Sequence, residues 1–193
     1  MTDNIDFIKT LLNFNDPYDF YYLQILVRKK DQLIKDNHQS VRTIKTYCIS
    51  NIEYLDKKCD EIKQLCKLFN ARAYINLNKY NHKKIGLKMM KILASQLESN
   101  QYNHQFLFDQ ALGEYKSPDR MWVVDIDNND IEFDKEIQKF INNCKPYGSK
   151  VIANVPTQQG HHLITKKFDY VEFKKQYPDI DIHKNNPTIL YIP

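Results

Sequence analysis

Met121-Trp122-Val123-Val124-Asp125-Ile126-Asp127 is the stretch on which the reading of this 193-residue chain turns. Side chains alternate along a strand, so Asp125 and Asp127 share one face while Val124 and Ile126 share the other. The run predicts a strand with an apolar back and two carboxylates at its end. Oxygen ligands of this kind suit hard divalent cations. By itself the pair also describes a strand running out into a solvated acidic turn, because Asn128-Asn129-Asp130 follows at once. The rest of the chain has to decide between the two.

Toward the C-terminus, the spacing of Phe133, Ile137, Phe140 and Ile141 predicts a helix over Ile131–Asn143. Pro146-Tyr147-Gly148 turns the chain into a strand over 150–155. A turn at 156–160 returns it as a hairpin partner, His161-His162-Leu163-Ile164-Thr165. A short helix over 168–176 and strands over 180–182 and 188–192 complete this half. Toward the N-terminus, the aromatic and branched run 20–27 and the segment 41–49 predict a hairpin across a longer loop. A helix over 5–14 precedes them. Ser50 with Glu53 predicts a reciprocal cap opening a long helix. Ile52, Leu55, Cys59, Ile62, Cys66 and Phe69 would form its inward face. A strand over 73–78 and a helix over 82–97 follow, the latter with Ile85, Met89, Ile92 and Leu93 inward. Residues 101–120 lack a steady period and read as a loop with a short helix. The expected class is α+β in a single domain over 1–193. Residues 1–70 would form a small αβ module ahead of a core over 71–193.

The chain carries 42% hydrophobic, 12% aromatic and 27% charged residues, enough for a packed core and too mixed in sign for wholesale disorder. A net charge of +4 permits nucleic-acid binding without requiring it. Few Gly beside many Asn, Lys and Ile suggest an AT-rich coding sequence, as in some phages and parasites. No stretch reaches the length of a membrane span, and the polar opening does not suit a secretory signal. A cytoplasmic location, the host cytoplasm if phage-encoded, is the expectation. Cys48, Cys59, Cys66 and Cys144 show no Cys-x-x-Cys pairing, which argues against a zinc ribbon.

Three segments after residue 120 are candidates for one site. They are Asp125 with Asp127, the turn Thr157-Gln158-Gln159-Gly160 with His161-His162, and Asp179-Ile180-Asp181-Ile182-His183-Lys184. In this order they resemble the archaeo-eukaryotic primase superfamily, which includes the primase-polymerases. Val123-Val124-Asp125-Ile126-Asp127 corresponds to its strand ending in Asp-x-Asp. Gly160-His161-His162 corresponds to its small-x-His segment, and Ile180-Asp181 to its hydrophobic-acid motif. The resemblance covers about residues 71–193 and implies an RRM-like catalytic core preceded by the small αβ module. It implies that Asp125, Asp127 and Asp181 hold Mg²⁺ or Mn²⁺ and that His162 contacts the triphosphate of an incoming nucleotide. Thr157 and Lys184 are further candidates for phosphate contact, and Asp179 is an alternative third ligand.

The implied activity is template-dependent nucleotidyl transfer to a 3′-hydroxyl. The implied partners are nucleoside triphosphates, a single-stranded DNA or RNA template, and a helicase or other replication proteins. The chain departs from the family in carrying Gln158 and Gln159 in the turn before the His. It also lacks a cysteine-rich zinc stem, a helicase region and a separate priming domain.

Two other classes stay open on the residues alone. A metal-dependent nuclease could use the same acids and His. A non-catalytic RRM-like module could stack single-stranded bases on Tyr74 and Tyr191. Ligase-type transfer is excluded because there is no Lys-x-Asp-Gly. A two-histidine phosphodiesterase is excluded because His162-Leu163-Ile164-Thr165 has the wrong spacing and no twin.

Overall fold

Strand β2 (Asp19–Val27) is apolar or aromatic along most of its length, and in the computed structural model both of its faces are covered. The structure describes residues 1–29, 41–101, 103–117, 120–128, 130–185 and 187–193. Tyr21, Leu23 and Ile25 point into a core shared with helix α2 (Ile52–Phe69), and Phe20 and Tyr22 point the other way. That second core is closed by α3 (His82–Glu98) and α4 (Leu107–Glu114), with Ile85, Ile92, Ala111 and Leu112 buried. A continuous apolar run is what burial on both faces requires. The described residues form an α+β protein with six helices and two antiparallel sheets.

The first sheet has the order β1 (Thr2–Asp3), β10 (Thr188–Ile192), β4 (Arg72–Ile75), β2, β3 (Arg42–Ile49), with β5 (Tyr80–Asn81) beside the start of β2. The expected β2–β3 hairpin is present, Tyr21 opposite Ile49 and Val27 opposite Arg42. The sheet is built from both ends of the chain, so the structure does not part at residue 70 as expected. Both β4 and β10, assigned from sequence to the second half's sheet, pair here.

The second sheet has the order β7 (Val151–Pro156), β8 (His161–Lys166), β6 (Met121–Ile126), β9 (Asp181–His183). Along the chain it runs β6, α5 (Ile131–Asn143), β7, β8, α6 (Tyr170–Gln176), β9. Trp122, Val124, Ile126 and Leu163 pack beneath α5 and α6 against Ile137, Ile141, Phe173 and Tyr177. Val123, Ala153, Val155 and Ile164 leave the opposite face and join the core of the first sheet. Buried Lys150 donates to Ile141 O (2.8 Å), Asn142 O (3.0 Å) and Gly148 O (3.2 Å), closing the C-terminal end of α5. A cation there complements the helix dipole.

Two asparagines join the sheets. Asn4 Nδ2 donates to Pro156 O (2.8 Å) and Ile189 O (3.1 Å). Asn78 takes both main-chain groups of Met121, donating to its O (3.1 Å) and accepting from its N (2.7 Å). Asn78 thus behaves like a neighbouring strand and fixes where β6 begins.

Some local expectations shift. Asn51, not Ser50, caps α2 by accepting from Tyr54 N (2.7 Å), and Asn70 ends that helix in the left-handed region at φ 48°. Asn tolerates that conformation. Phe69 is exposed rather than inward, because it sits in the last turn beyond the core. Helix α1 stops at Lys9 (Ile5–Lys9), and β4 stops at Ile75, where Asn76 turns its side chain to Tyr80 and Asn185 O. No helix of the described residues is long and apolar enough to cross a membrane.

Candidate functional site

Strand β6 is one of the two inner strands of its sheet, so whatever faces outward at Asp125 is flanked on both sides. Asp125 stands opposite His162 on β8 and opposite Asp181 on β9. Directly opposed residues of antiparallel strands project to the same face. An imidazole, a carboxylate and a second carboxylate therefore form one row across three adjacent strands. Asp127 continues the Asp125 face just beyond the end of β6 and is exposed. His183, two residues after Asp181, lies on that face opposite Val123.

His162 is only 9% exposed. Its Nδ1 lies 2.9 Å from the hydroxyl of Thr188, and its Nε2 lies 3.4 Å from Asp125 Oδ1. With Nδ1 accepting the Thr188 proton, Nε2 carries the ring's hydrogen and faces the Asp125 carboxylate without being aligned for a hydrogen bond to it. Burial pushes the His162 pKa below its ordinary 6.5, against the pull of Asp125, and the neighbouring His183 pushes the same way as burial. His162 is consequently neutral at pH 7. Thr188 is fully buried on β10, in the other sheet, so the histidine is oriented from outside its own sheet.

The acids surround a depression of about 210 Å³ lined by Asp125, Asp127, Asp179 and Asp181, with Asn128 and Phe133 completing its wall. Asp179 lies in the turn before β9 rather than on the strand. The nearest cation to Asp181 is Lys174, with Nζ 3.9 Å from Oδ1, a contact too exposed to neutralise it fully. All of these donors are oxygens, which fits a hard divalent cation by type. The side chains are not drawn in to coordination distance. Among the described residues no three His, Cys, Asp or Glu groups are gathered closely enough to hold a metal ion.

Gly160 has a different job from the one its position suggested. Room for a phosphate was the expectation, but the room is taken by β6. A Cβ on Gly160 would stand 1.9 Å from Ile126 O and 3.0 Å from Asn128 N. The turn that carries it is closed by Thr157, whose N–H donates to Gly160 O (2.9 Å) and whose hydroxyl accepts from Gly160 N (3.1 Å). Thr157 thus holds the turn and does not line the acid depression.

Lys184 is also placed elsewhere. Its ammonium sits over the rings of Tyr170 (4.3 Å) and Trp122 (5.2 Å), on the helix-covered side of the sheet. His161 turns to that side too, with Nε2 3.3 Å from Asp134 Oδ1 on α5, neither atom aligned for a hydrogen bond. Tyr191, a possible stacking platform on sequence grounds, is 2% exposed in the core. Sequence reasoning missed His183 and Thr188. The first was legible from its alternation with Asp181, whereas the second reaches His162 only through tertiary packing.

Searches against protein-family models, curated proteins and solved structures returned no match to this chain.

Proposed function

We propose that this chain is a primase-polymerase-type nucleotidyltransferase. It would add nucleotides to a 3′-hydroxyl on a single-stranded DNA or RNA template, with Mg²⁺ or Mn²⁺ as cofactor. The observation that carries the reading is the register that sets His162, Asp125 and Asp181 in one row. The sheet supports it as well. Its β–α–β–β–α–β chain order, with β6 and β8 central and β9 and β7 outside, is the split βαβ arrangement shared by ferredoxin-like and RRM-like folds.

Asp125, Asp127 and either Asp181 or Asp179 would hold the ions from the walls of the depression. A divalent cation held there would neutralise charge on transferring phosphates and favour attack by a hydroxyl oxygen. The chain's own residues supply position and polarity. Neutral His162, fixed by Thr188, offers an N–H beside Asp125 to an anionic oxygen without adding a second full charge. Gly160 lets the β7–β8 turn lie against the end of β6, which sets the direction in which Asp125 and Asp127 leave the sheet. In the reaction, a bond forms from the 3′-oxygen to the α-phosphorus as the bond to pyrophosphate breaks.

A purely stacking, RRM-like binder is less well supported. The sheet face it would use is occupied by Val123, Ala153, Val155 and Ile164 in the shared core. Four carboxylates around the remaining opening would repel a phosphate backbone.

The test is incorporation of labelled nucleotide on a primed and an unprimed single-stranded template with Mg²⁺ or Mn²⁺. Wild type is compared with Asp125→Asn/Asp127→Asn. Metal-dependent extension that falls at least 100-fold in the double variant is expected. Shortening of the template without extension would replace the proposal with a nuclease. Template binding that the double variant leaves intact, with neither reaction, would replace it with a binding module.

A further inference from the structure

A second cavity lies at the opposite end of β6 from the acids. It measures about 710 Å³ and opens between the two sheets, with Met121, the first residue of β6, in its wall. The strand's six residues place the two openings about 20 Å apart. The chemistry is inverted between them. Lys79, Lys84, Arg120, Lys166 and Lys167 line the large cavity, against Asp16 and Asp19. Asp19 is already committed, accepting from Lys79 (2.9 Å), from Asp16 N (3.1 Å) and from Asn81 Nδ2 (3.5 Å).

Two features of this lining favour an anion. Arg120 Nε is buried with no hydrogen-bond partner, and an orphaned buried donor costs about 1–3 kcal/mol. Helix α3 begins at the cavity, where Asn81 caps it by accepting from Lys84 N (3.3 Å); its first turn carries no acid, and Lys84 lines the cavity while Lys83 stacks over Tyr18. A helix N-terminus is the positive end of the dipole, where lysines are unfavourable and anions favourable. Both features are resolved by an anion between Arg120 and the start of α3. The remaining wall is suited to an organic body, with Tyr115, Leu77, Met121 and Ile152 among its residues. The volume falls within the usual range for small-molecule sites.

We infer that this cavity binds a nucleotide-sized organic phosphate, independently of divalent metal and of the acidic depression. The inference does not rest on the nucleotidyltransferase reading and survives its failure. Size favours a small ligand over a strand, because a cavity of about 710 Å³ is on the scale of one nucleotide.

Titration calorimetry of the full chain in excess EDTA tests it, with adenosine monophosphate, pyrophosphate, adenosine and a ten-nucleotide oligothymidine as separate probes. The expected result is 1:1 binding of adenosine monophosphate, weaker binding of pyrophosphate and none of adenosine. Affinity should fall about tenfold in Arg120→Gln and in Lys84→Gln and stay unchanged in Asp125→Asn/Asp127→Asn. Lys84 is exposed on a helix surface, so that variant keeps the test valid if Arg120→Gln folds poorly. Absence of binding by both phosphates overturns the inference. So does binding lost in the acid variant but kept in Lys84→Gln, or binding of the oligonucleotide alone.

Discussion

Gly160→Ala is the sharpest perturbation the structure offers, because it adds one methyl group at a point of backbone contact. The new carbon would meet Ile126 O at 1.9 Å and both Ile126 C and Asn128 N at 3.0 Å. A relaxed carbon–oxygen contact is about 3.3 Å, so the β7–β8 turn and the end of β6 must separate by roughly 1.4 Å. Neither side yields freely. Thr157 closes the turn through two hydrogen bonds, and Ile126 is paired with His161. Overpacking of this kind costs about 1–3 kcal/mol, and loosening the Ile126–His161 pair adds about 1 kcal/mol. A total near 3 kcal/mol lowers the melting temperature by about 6–12 °C in a chain of this size. The same displacement re-aims Asp125 and Asp127, and a shift of about 1 Å in a catalytic group costs about 100-fold in rate. Urea denaturation followed by circular dichroism measures the first effect, and nucleotide incorporation measures the second. Gly86→Ala is the matched control, since nothing lies within 4 Å of its added carbon. A Gly160→Ala protein within 0.5 kcal/mol of the parent would refute the steric reasoning.

Gly86→Ala itself should stabilise the chain by about 0.5–1 kcal/mol in the same denaturation assay, because it replaces glycine inside α3. Asn78→Ala should cost about 2–4 kcal/mol, since it strands both main-chain groups of Met121; hydrogen exchange should show the Met121 amide losing protection. The folded His162 has its pKa lowered by burial, so its contribution is intact above 6.5 and is lost as pH falls below that value, where the unfolded chain takes up the proton more readily. Denaturation midpoints from pH 7.5 down to 5 should therefore fall less steeply in His162→Gln than in the parent.

What could be read from the sequence was whatever depends on period and order. Alternation in β6 assigned Asp125 and Val124 to opposite faces, and the hairpin at 156–160 returned His162 to the acid side. The same alternation, applied one step further, excludes Lys184 from the row, because Asp181 and His183 set the phase of β9. Partner choice between strands was not legible. Segment 188–192 reads as a strand in any sheet, and only long-range packing sends β10 to β1 and β4. Thr188 reaches His162 as a consequence of that choice. Gly160 signals a close approach by its small size but does not say what approaches. Ser50 and Asn51 are both good helix caps, and the local backbone alone selects the second.

The pairing of β1 with β10 places Thr2 opposite Ile192, so the two outermost residues of that ladder are pulled apart at the same end. Tension applied across them loads the hydrogen bonds one after another, as a zip opens, rather than all together in shear. Further traction on Ile192 peels β10 from β4 toward Thr188, the residue that steadies the His162 ring. Under mechanical load, therefore, the histidine loses its support while β6, gripped between two neighbours and held at Met121 by Asn78, keeps its carboxylates in line.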